Sequence, residues 1–128
     1  MGAAAIQNNL AMLADLAVAN GIRPLLASIL PVSDHHREKD PAFEMTLARS
    51  PAVIREINKW LQEFCQRRGF TYVDYFTAMA DGQGFLKAEL ADDGLHPNSG
   101  GYRVMAPIAQ TALDSVLTPA PGKRTRKN

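Results

Sequence analysis

The sequence is poor in the features that mark several classes of protein. Its single cysteine, Cys65, excludes an intrachain disulfide framework. No apolar run approaches the ~20 residues that a membrane-spanning helix needs. The formal net charge of +1 gives no electrostatic basis for binding nucleic acid or an anionic membrane. What is present, 46% hydrophobic and 21% charged residues in a chain of 128, is the composition of one globular domain with a packed core.

Two stretches of the sequence have the composition of β-strands. Residues 23–30 form a nearly unbroken apolar run, which is typical of a strand buried on both faces of a parallel sheet. Residues 71–76 are rich in β-branched and aromatic side chains, and they predict a second strand. The sequence therefore predicts a small sheet whose strands are separated by about forty residues of other structure.

Three helices are predicted around these strands. The first covers residues 4–20, the second begins at Ser50-Pro51 and ends at Gly69, and the third covers residues 99–117. Pro107 lies inside the third helix and should kink it or divide it in two. The order helix, strand, helix, strand, helix predicts an α/β fold with parallel crossovers. The faces predicted to be buried are Ile6, Leu10, Leu13 and Ala17 in the first helix, Ile54, Ile57, Leu61 and Phe64 in the second, and Val104, Ile108, Ala112 and Val116 in the third.

The segment that follows the first predicted strand is a candidate binding edge. Ligands of open parallel sheets bind at the carboxyl ends of strands. Pro31, Val32 and Ser33 are therefore candidate substrate contacts, and Ser33 is a candidate replacement nucleophile; the alternative is a solvated loop. A metal site in Asp34-His35-His36 is disfavoured, because adjacent side chains diverge and no further ligand follows at a familiar spacing. No metal is expected.

An acid and a histidine stand three residues apart in the stretch Asp93-Gly94-Leu95-His96-Pro97-Asn98. In hydrolytic sites an imidazole takes a proton from a nucleophile, while a carboxylate orients the ring and stabilises the imidazolium. The spacing can supply both groups from one tight loop, with Pro97 as a brace and Asn98 or Ser99 as the cap of the next helix. We predict about 2.6–3.2 Å between a carboxylate oxygen of Asp93 and Nδ1 of His96. From the spacing alone, a polar loop before a helix is the alternative.

That stretch, together with Gly101-Tyr102 and Met105-Ala106-Pro107, resembles the last conserved block of the SGNH/GDSL hydrolases, a family of lipases, esterases and acylhydrolases. Residues 25–32, 57–61 and 72–75 resemble, in the family's order, its fourth strand, the following helix and its last strand. The resemblance covers residues from about 5 to 117. It implies a partial flavodoxin-like three-layer α/β fold, with parallel strands flanked by helices. It also implies that Asp93 and His96 are the acid and the base of a catalytic triad.

Two conserved blocks of the family are missing from this sequence. The family's Gly-Asp-Ser block, which carries the nucleophile, and its Gly-x-Asn-Asp block, which carries an oxyanion-hole asparagine, have no counterpart in the sequence. We therefore expect residues 1–117 to correspond to the C-terminal half of such a domain, with the first half missing. Residues 118–128 are expected to form a disordered basic tail. The expected function is that of a truncated GDSL-like lipase or acylhydrolase, inactive alone; the alternative is a non-catalytic oligomerisation or regulatory module.

A sheet with only part of its strands also affects which partners the chain is expected to bind. The family's five parallel strands have the order 2-1-3-4-5, so the first strand of this chain would have an unpaired edge, which favours association. We therefore expect a homo-oligomer. A small ester or acyl substrate is expected only if the missing half is supplied, and no cofactor, nucleic acid or membrane span is expected. The first five residues lack the pattern of a signal peptide, although members of the family are often exported, so the localisation stays open.

Overall fold

The structure, a computed structural model, describes residues 2–117. The basic tail expected at residues 118–128 lies outside the described residues. No helix among those described is both long and apolar enough to cross a membrane. The elements in chain order are α1 (Ala3–Ala19), β1 (Leu25–Ala27), α2 (Pro51–Arg68), β2 (Thr71–Val73), α3 (Tyr75–Met79) and α4 (Ser99–Leu117), with short 3-10 helices at Pro41–Phe43 and Ala88–Leu90.

The sheet consists of β1 and β2, which run parallel with Leu26 opposite Tyr72. Side chains alternate between the two faces of a strand, so Leu26 and Tyr72 lie on one face. On that face Leu26 packs with Ala14 of α1 and with Leu61 and Phe64 of α2. α4 packs against β2. The predicted α/β architecture, with parallel strands flanked by helices, is confirmed.

Both strands are shorter than predicted, because buried side chains take over the backbone hydrogen bonds where β1 ends. Asn58 of α2 accepts a hydrogen bond from the Ile29 N–H at 2.7 Å and donates to the Ile29 carbonyl at 2.8 Å. The Ser28 hydroxyl accepts from the Phe76 N–H at 2.9 Å. Peptide groups that the periodicity assigns to strands are therefore bonded to side chains, which satisfies them without a longer ladder.

The buried face of α1 departs from the prediction, and of the two outcomes predicted for Pro107 in α4, a kink or a division, the division does not occur. The prediction that Leu13 is buried in α1 was wrong, because Leu13 is 63% exposed. The neighbouring Ala14 is 3% exposed. The small side chain of Ala14 lets the helix approach Leu26 and α2 closely, which turns Leu13 outward. α4 is not divided at Pro107. Pro107 and Arg103 are both exposed, so the Arg103 carbonyl, which loses its helical donor, is open to water.

One edge of β1 has no strand beside it within residues 2–117. α1 exposes three large apolar side chains, Met12, Leu13 and Leu16, at 68%, 63% and 61%. Leu10 and Leu13 of α1, together with β1, line a groove between the helix and the strand. We call this region the β1-edge surface; its residues are Leu10, Met12, Leu13, Leu16, Leu25 and Ala27. An exposed apolar area next to an open strand edge is unusual for a monomeric protein.

Candidate active site

The loop that carries Asp93 and His96 is closed at its base. Ala91 and Pro97 form an antiparallel bridge across it. The side-chain amide of Asn98 donates to the Glu89 carbonyl and to Asp92 Oδ1, both at 3.0 Å. The Asn98 Oδ1 accepts from the Gly101 N–H at 3.0 Å, which makes Asn98 the cap of α4. These bonds tie the start of α4 to the segment before the loop.

The predicted contact between the acid and the histidine is confirmed. Asp93 Oδ2 lies 2.6 Å from Nδ1 of His96. The other oxygen, Oδ1, accepts from the backbone N–H groups of Leu95 and His96, both at 2.8 Å. One carboxylate thus closes the turn and holds the imidazole ring. Neither oxygen is free to rotate without breaking a hydrogen bond.

These contacts determine the charge of Asp93. Burial alone would raise its pKa, but the hydrogen bonds from the His96 ring and from the backbone of His96 and Leu95 outweigh that effect and lower the pKa to about 2. The carboxylate is therefore ionised at neutral pH. An ionised acceptor at Nδ1 keeps the proton on that nitrogen in the neutral ring, which leaves Nε2 as the basic nitrogen. The His96 side chain is 77% exposed, so this nitrogen is accessible.

Gly94 fixes where the loop sits in the fold. Its φ is +79°, in the left-handed region that favours glycine. Its carbonyl accepts from the Ser33 N–H at 3.0 Å. A Cβ on Gly94 would lie 2.1 Å from the Ser33 carbonyl oxygen. The loop is therefore seated on the segment that leaves β1, at a distance that only glycine permits.

The three candidate substrate contacts after β1 have different positions. Pro31 and Val32 line a cavity of about 700 Å³ that also includes His96. Ser33 is 0% exposed, and its hydroxyl has no hydrogen-bond partner among the described residues. A side chain without exposed surface cannot contact a substrate, so the structure argues against Ser33 as a nucleophile or a substrate contact. The cause is the close approach of Gly94, which covers it.

The three residues that follow Ser33 point to separate partners, as their adjacency predicts. Asp34 accepts hydrogen bonds from the backbone N–H groups at 45–46. The Thr46 hydroxyl also donates to Asp34, at 2.5 Å. His35 Nε2 lies 3.1 Å from Asp81 Oδ2. His36 Nε2 lies 2.9 Å from the carbonyl of Ala88. These side chains hold the loop to the rest of the fold through three separate contacts. No group of three or more side chains that could bind a metal ion occurs in the part of the chain that the structure describes.

The cavity beside His96 includes residues that the sequence analysis did not assign to a site. Arg49, in the turn before α2, and Ile29 and Leu95 all contribute to its lining. Leu95 could have been inferred from its place between Asp93 and His96. Arg49 lies in no motif and is distant from the loop in sequence, so only the folded arrangement reveals it.

We expect Gly94→Ala to lower the free energy of unfolding by about 2–4 kcal/mol, because it adds a Cβ against the Ser33 carbonyl in a left-handed conformation. Gly82→Ala is the matched control, since a Cβ there meets nothing within 4 Å. Its effect should stay within about 0.5 kcal/mol. Denaturant unfolding of both variants measures the difference. Equal losses would contradict the docking of the loop.

We expect Asp93→Asn to remove the single tautomer of His96, because an amide no longer holds the proton on Nδ1. The ¹⁵N chemical shifts of the ring report this directly. Asp92→Asn is the control, since its remaining oxygen can still accept from Asn98 and it does not contact His96. A His96 spectrum that changes equally in both variants would show that Asp93 does not hold the ring.

The same carboxylate predicts a pH dependence. Since its pKa falls from 3.8 to about 2 on folding, the ionised form stabilises the fold above about pH 4. That contribution, roughly 2 kcal/mol at most, should be lost as the pH falls from about 4 to about 2. A ¹³C titration of the Asp93 carboxyl group measures it, and a midpoint near 4 would contradict the hydrogen-bond geometry.

Known structures share this fold. A protein from Bacteroides fragilis assigned as an acylhydrolase superposes with a TM-score of 0.79 at 26% identity, over 91% of this chain and 53% of its own. A GDSL-like lipase from Bacteroides thetaiotaomicron superposes with a TM-score of 0.77 at 26% identity, over 91% of this chain and 55% of its own. The esterase domain of the zebrafish ZfL2-1 retrotransposon ORF1 protein has the same fold at 14% identity and a TM-score of 0.67, over 90% of this chain and 61% of its own.

The chain thus spans about half the length of the first two of these structures. No curated protein sequence matches it significantly. The model of the GDSL-like lipase/acylhydrolase family matches residues 2–104, which is most of the chain and includes the loop with Asp93 and His96. The chain belongs to the GDSL-like lipase/acylhydrolase family.

Proposed function

We propose that this chain supplies the acid and the base of a serine ester or acyl hydrolase site, with His96 as the base and Asp93 as the residue that orients it. The observation that carries the proposal is the 2.6 Å contact between Asp93 Oδ2 and His96 Nδ1. It leaves Nε2 basic and exposed beside an apolar cavity. This is the geometry that a general base needs before a nucleophile is added.

The reaction would proceed in two steps. His96 Nε2 takes the proton of a serine hydroxyl as its oxygen attacks the ester carbonyl, and Asp93 stabilises the imidazolium that forms. The imidazolium then gives the proton to the departing alkoxide, which leaves an acyl-serine. In the second step His96 takes a proton from water, the hydroxide attacks the acyl group, and the proton returns to the serine oxygen as the carboxylic acid leaves.

The nucleophile of this reaction does not come from Ser33, whose hydroxyl is buried. We propose that a Gly-Asp-Ser segment, outside residues 1–128, provides the serine together with the donors that stabilise the oxyanion. The chain alone would then be a truncated form of the site, which holds a proton-transfer pair and has no group to be acylated. The substrate would be hydrolysed only when that segment is present.

The substrate class is inferred from two sources. The relatives are named as an acylhydrolase, a lipase and an esterase, which supports hydrolysis of an acyl ester. The cavity beside His96 has mostly aliphatic walls, which include Pro31 and Val32. We propose that the acyl group lies along these walls, with its carbonyl carbon next to His96.

A second candidate function is supported by a separate observation, the β1-edge surface. Leaving three large apolar side chains exposed forfeits on the order of 1 kcal/mol or more for each, and a domain has only about 5–15 kcal/mol of stability. We propose that this surface is buried between copies in a homo-oligomer. If the hydrolytic reaction is absent in every context, the chain would serve as a non-catalytic oligomerisation or regulatory module derived from the same fold.

We expect the chain alone to hydrolyse short 4-nitrophenyl esters no faster than its His96→Ala variant, and to resist labelling by a fluorophosphonate probe. When a Gly-Asp-Ser segment from a family member is added, hydrolysis should appear. It should then fall by about 10²-fold or more in His96→Ala, since the base is lost. His36→Ala is the control and should retain activity, because His36 is bonded to a distant backbone carbonyl. Labelling of the chain alone that Ser33→Ala abolishes would overturn the proposal.

We expect light scattering at micromolar concentration to give a mass that is a multiple of the chain's 14.0 kDa. Leu13→Lys, in the β1-edge surface, should shift the population toward monomer, because it would bury a charge in the interface. Leu47→Lys is the control, since Leu47 is 83% exposed and does not line the groove between α1 and β1. A monomer that unfolds sharply and cooperatively on heating would exclude the proposed assembly.

A further inference from the structure

The cavity beside His96 is lined mostly by aliphatic side chains and by one arginine. Its volume of about 700 Å³ is within the range of about 300–1,000 Å³ that is usual for small-molecule sites. Most of its walls are aliphatic, with Ile29, Val32, Ile54, Ile57 and Leu95 among the residues that form them. Such walls favour an alkyl chain, because its transfer from water is favourable and non-directional.

Arg49 is the one lining residue with a permanent positive charge. Among the described residues, its side chain forms one hydrogen bond, from Nη1 to the Met45 sulfur at 3.9 Å, and a thioether is a weak acceptor. Within residues 2–117 no carboxylate forms an ion pair with Arg49. Two other arginines differ in this respect: Arg37 pairs with Glu44 at 3.1 Å, and Arg68 pairs with Asp15 at 2.7 Å. The Arg49 guanidinium therefore has donors left for a ligand.

A guanidinium on an aliphatic cavity is suited to one kind of ligand. Its planar fork of N–H groups binds carboxylate or phosphate oxygens in pairs, and such bonds are stronger than those between neutral groups. When a binding site has mostly apolar walls, its few polar groups orient the ligand and provide selectivity. Arg49 is exposed, so an alkyl chain alone would leave its guanidinium bonded to water, whereas a cationic ligand would be repelled by it.

We propose that the cavity beside His96 selects aliphatic anions, with Arg49 as the specificity-determining residue that binds the carboxylate or phosphate group. The inference rests on the proposed hydrolase function and deepens it, since the ligand would be an anionic acyl substrate or the carboxylate that hydrolysis releases. Arg49 is not assigned a step in proton transfer. Its part is to hold the charged end of a ligand whose chain lies on the aliphatic walls.

The test is a binding experiment on the chain itself, which needs no turnover. Octanoate, 1-octanol and acetate are titrated separately, and the methyl signals of Ile29 and Leu95 are followed by NMR. Octanoate should bind about five- to tenfold more tightly than 1-octanol, as one charge-assisted contact at a partly exposed site allows. Acetate should not shift these methyl signals. Octyl phosphate, used in place of octanoate, tells whether the site prefers phosphate or carboxylate.

Arg49→Gln should remove the preference for octanoate over 1-octanol and leave the binding of 1-octanol unchanged. Arg67→Gln is the matched control, because it removes the same charge from an exposed position near the end of α2, away from the cavity. It should retain the preference. Equal affinities for octanoate and 1-octanol, or the same loss in both variants, would overturn the assignment of Arg49.

A third outcome is that no ligand shifts the methyl signals of Ile29 and Leu95. That result would mean that the cavity is filled in the chain as it exists, for example by a second copy, and it would also overturn the proposal. Failure of the underlying hydrolase function is detected separately. The hydrolase function requires the Nδ1–H tautomer of His96, and the ¹⁵N shifts of the ring nitrogens report that tautomer without any ligand.

Discussion

The contact between Gly94 and Ser33 is the constraint on which the arrangement of the site depends. The loop with Asp93 and His96 comes late in the chain, whereas the cavity walls come from the segment after β1 and from α2. The bond from the Ser33 N–H to the Gly94 carbonyl, at 3.0 Å, joins these two parts. Because Gly94 has no side chain, the two backbones can approach closely, and the loop places His96 in the lining of the cavity. The buried, unpartnered hydroxyl of Ser33 is a cost of that approach.

The part of the site that sequence reasoning predicted well is the part made by local interactions. Asp93 and His96 are three residues apart, so a tight turn with Gly94 in the left-handed conformation brings the carboxylate to the ring. The capping of α4 by Asn98 is local in the same sense. The order of helices and strands also follows from periodicities that a short window contains. The family resemblance rests on these same short blocks.

What could not be predicted depends on contacts between distant residues. The end of β1 is determined by Asn58, which is 29 positions away from Ile29. The orientation of α1 is determined by a small side chain, Ala14, against α2, and the periodicity cannot distinguish this arrangement from one in which Leu13 is buried. The burial of Ser33 and the position of Arg49 follow from the folded loops. No spacing in the sequence encodes them.

The contact between Asp93 and His96 is local in the sequence, and this bears on which parts of such a site can form independently. Contacts between residues three apart cost little closure entropy, so the Asp93–His96 geometry forms without the strands that would flank β1. Preorganisation of the proton-transfer pair is then separable from assembly of the full site. On the proposed function, this loop carries the base and the acid that orients it, ready for a nucleophile that another segment supplies.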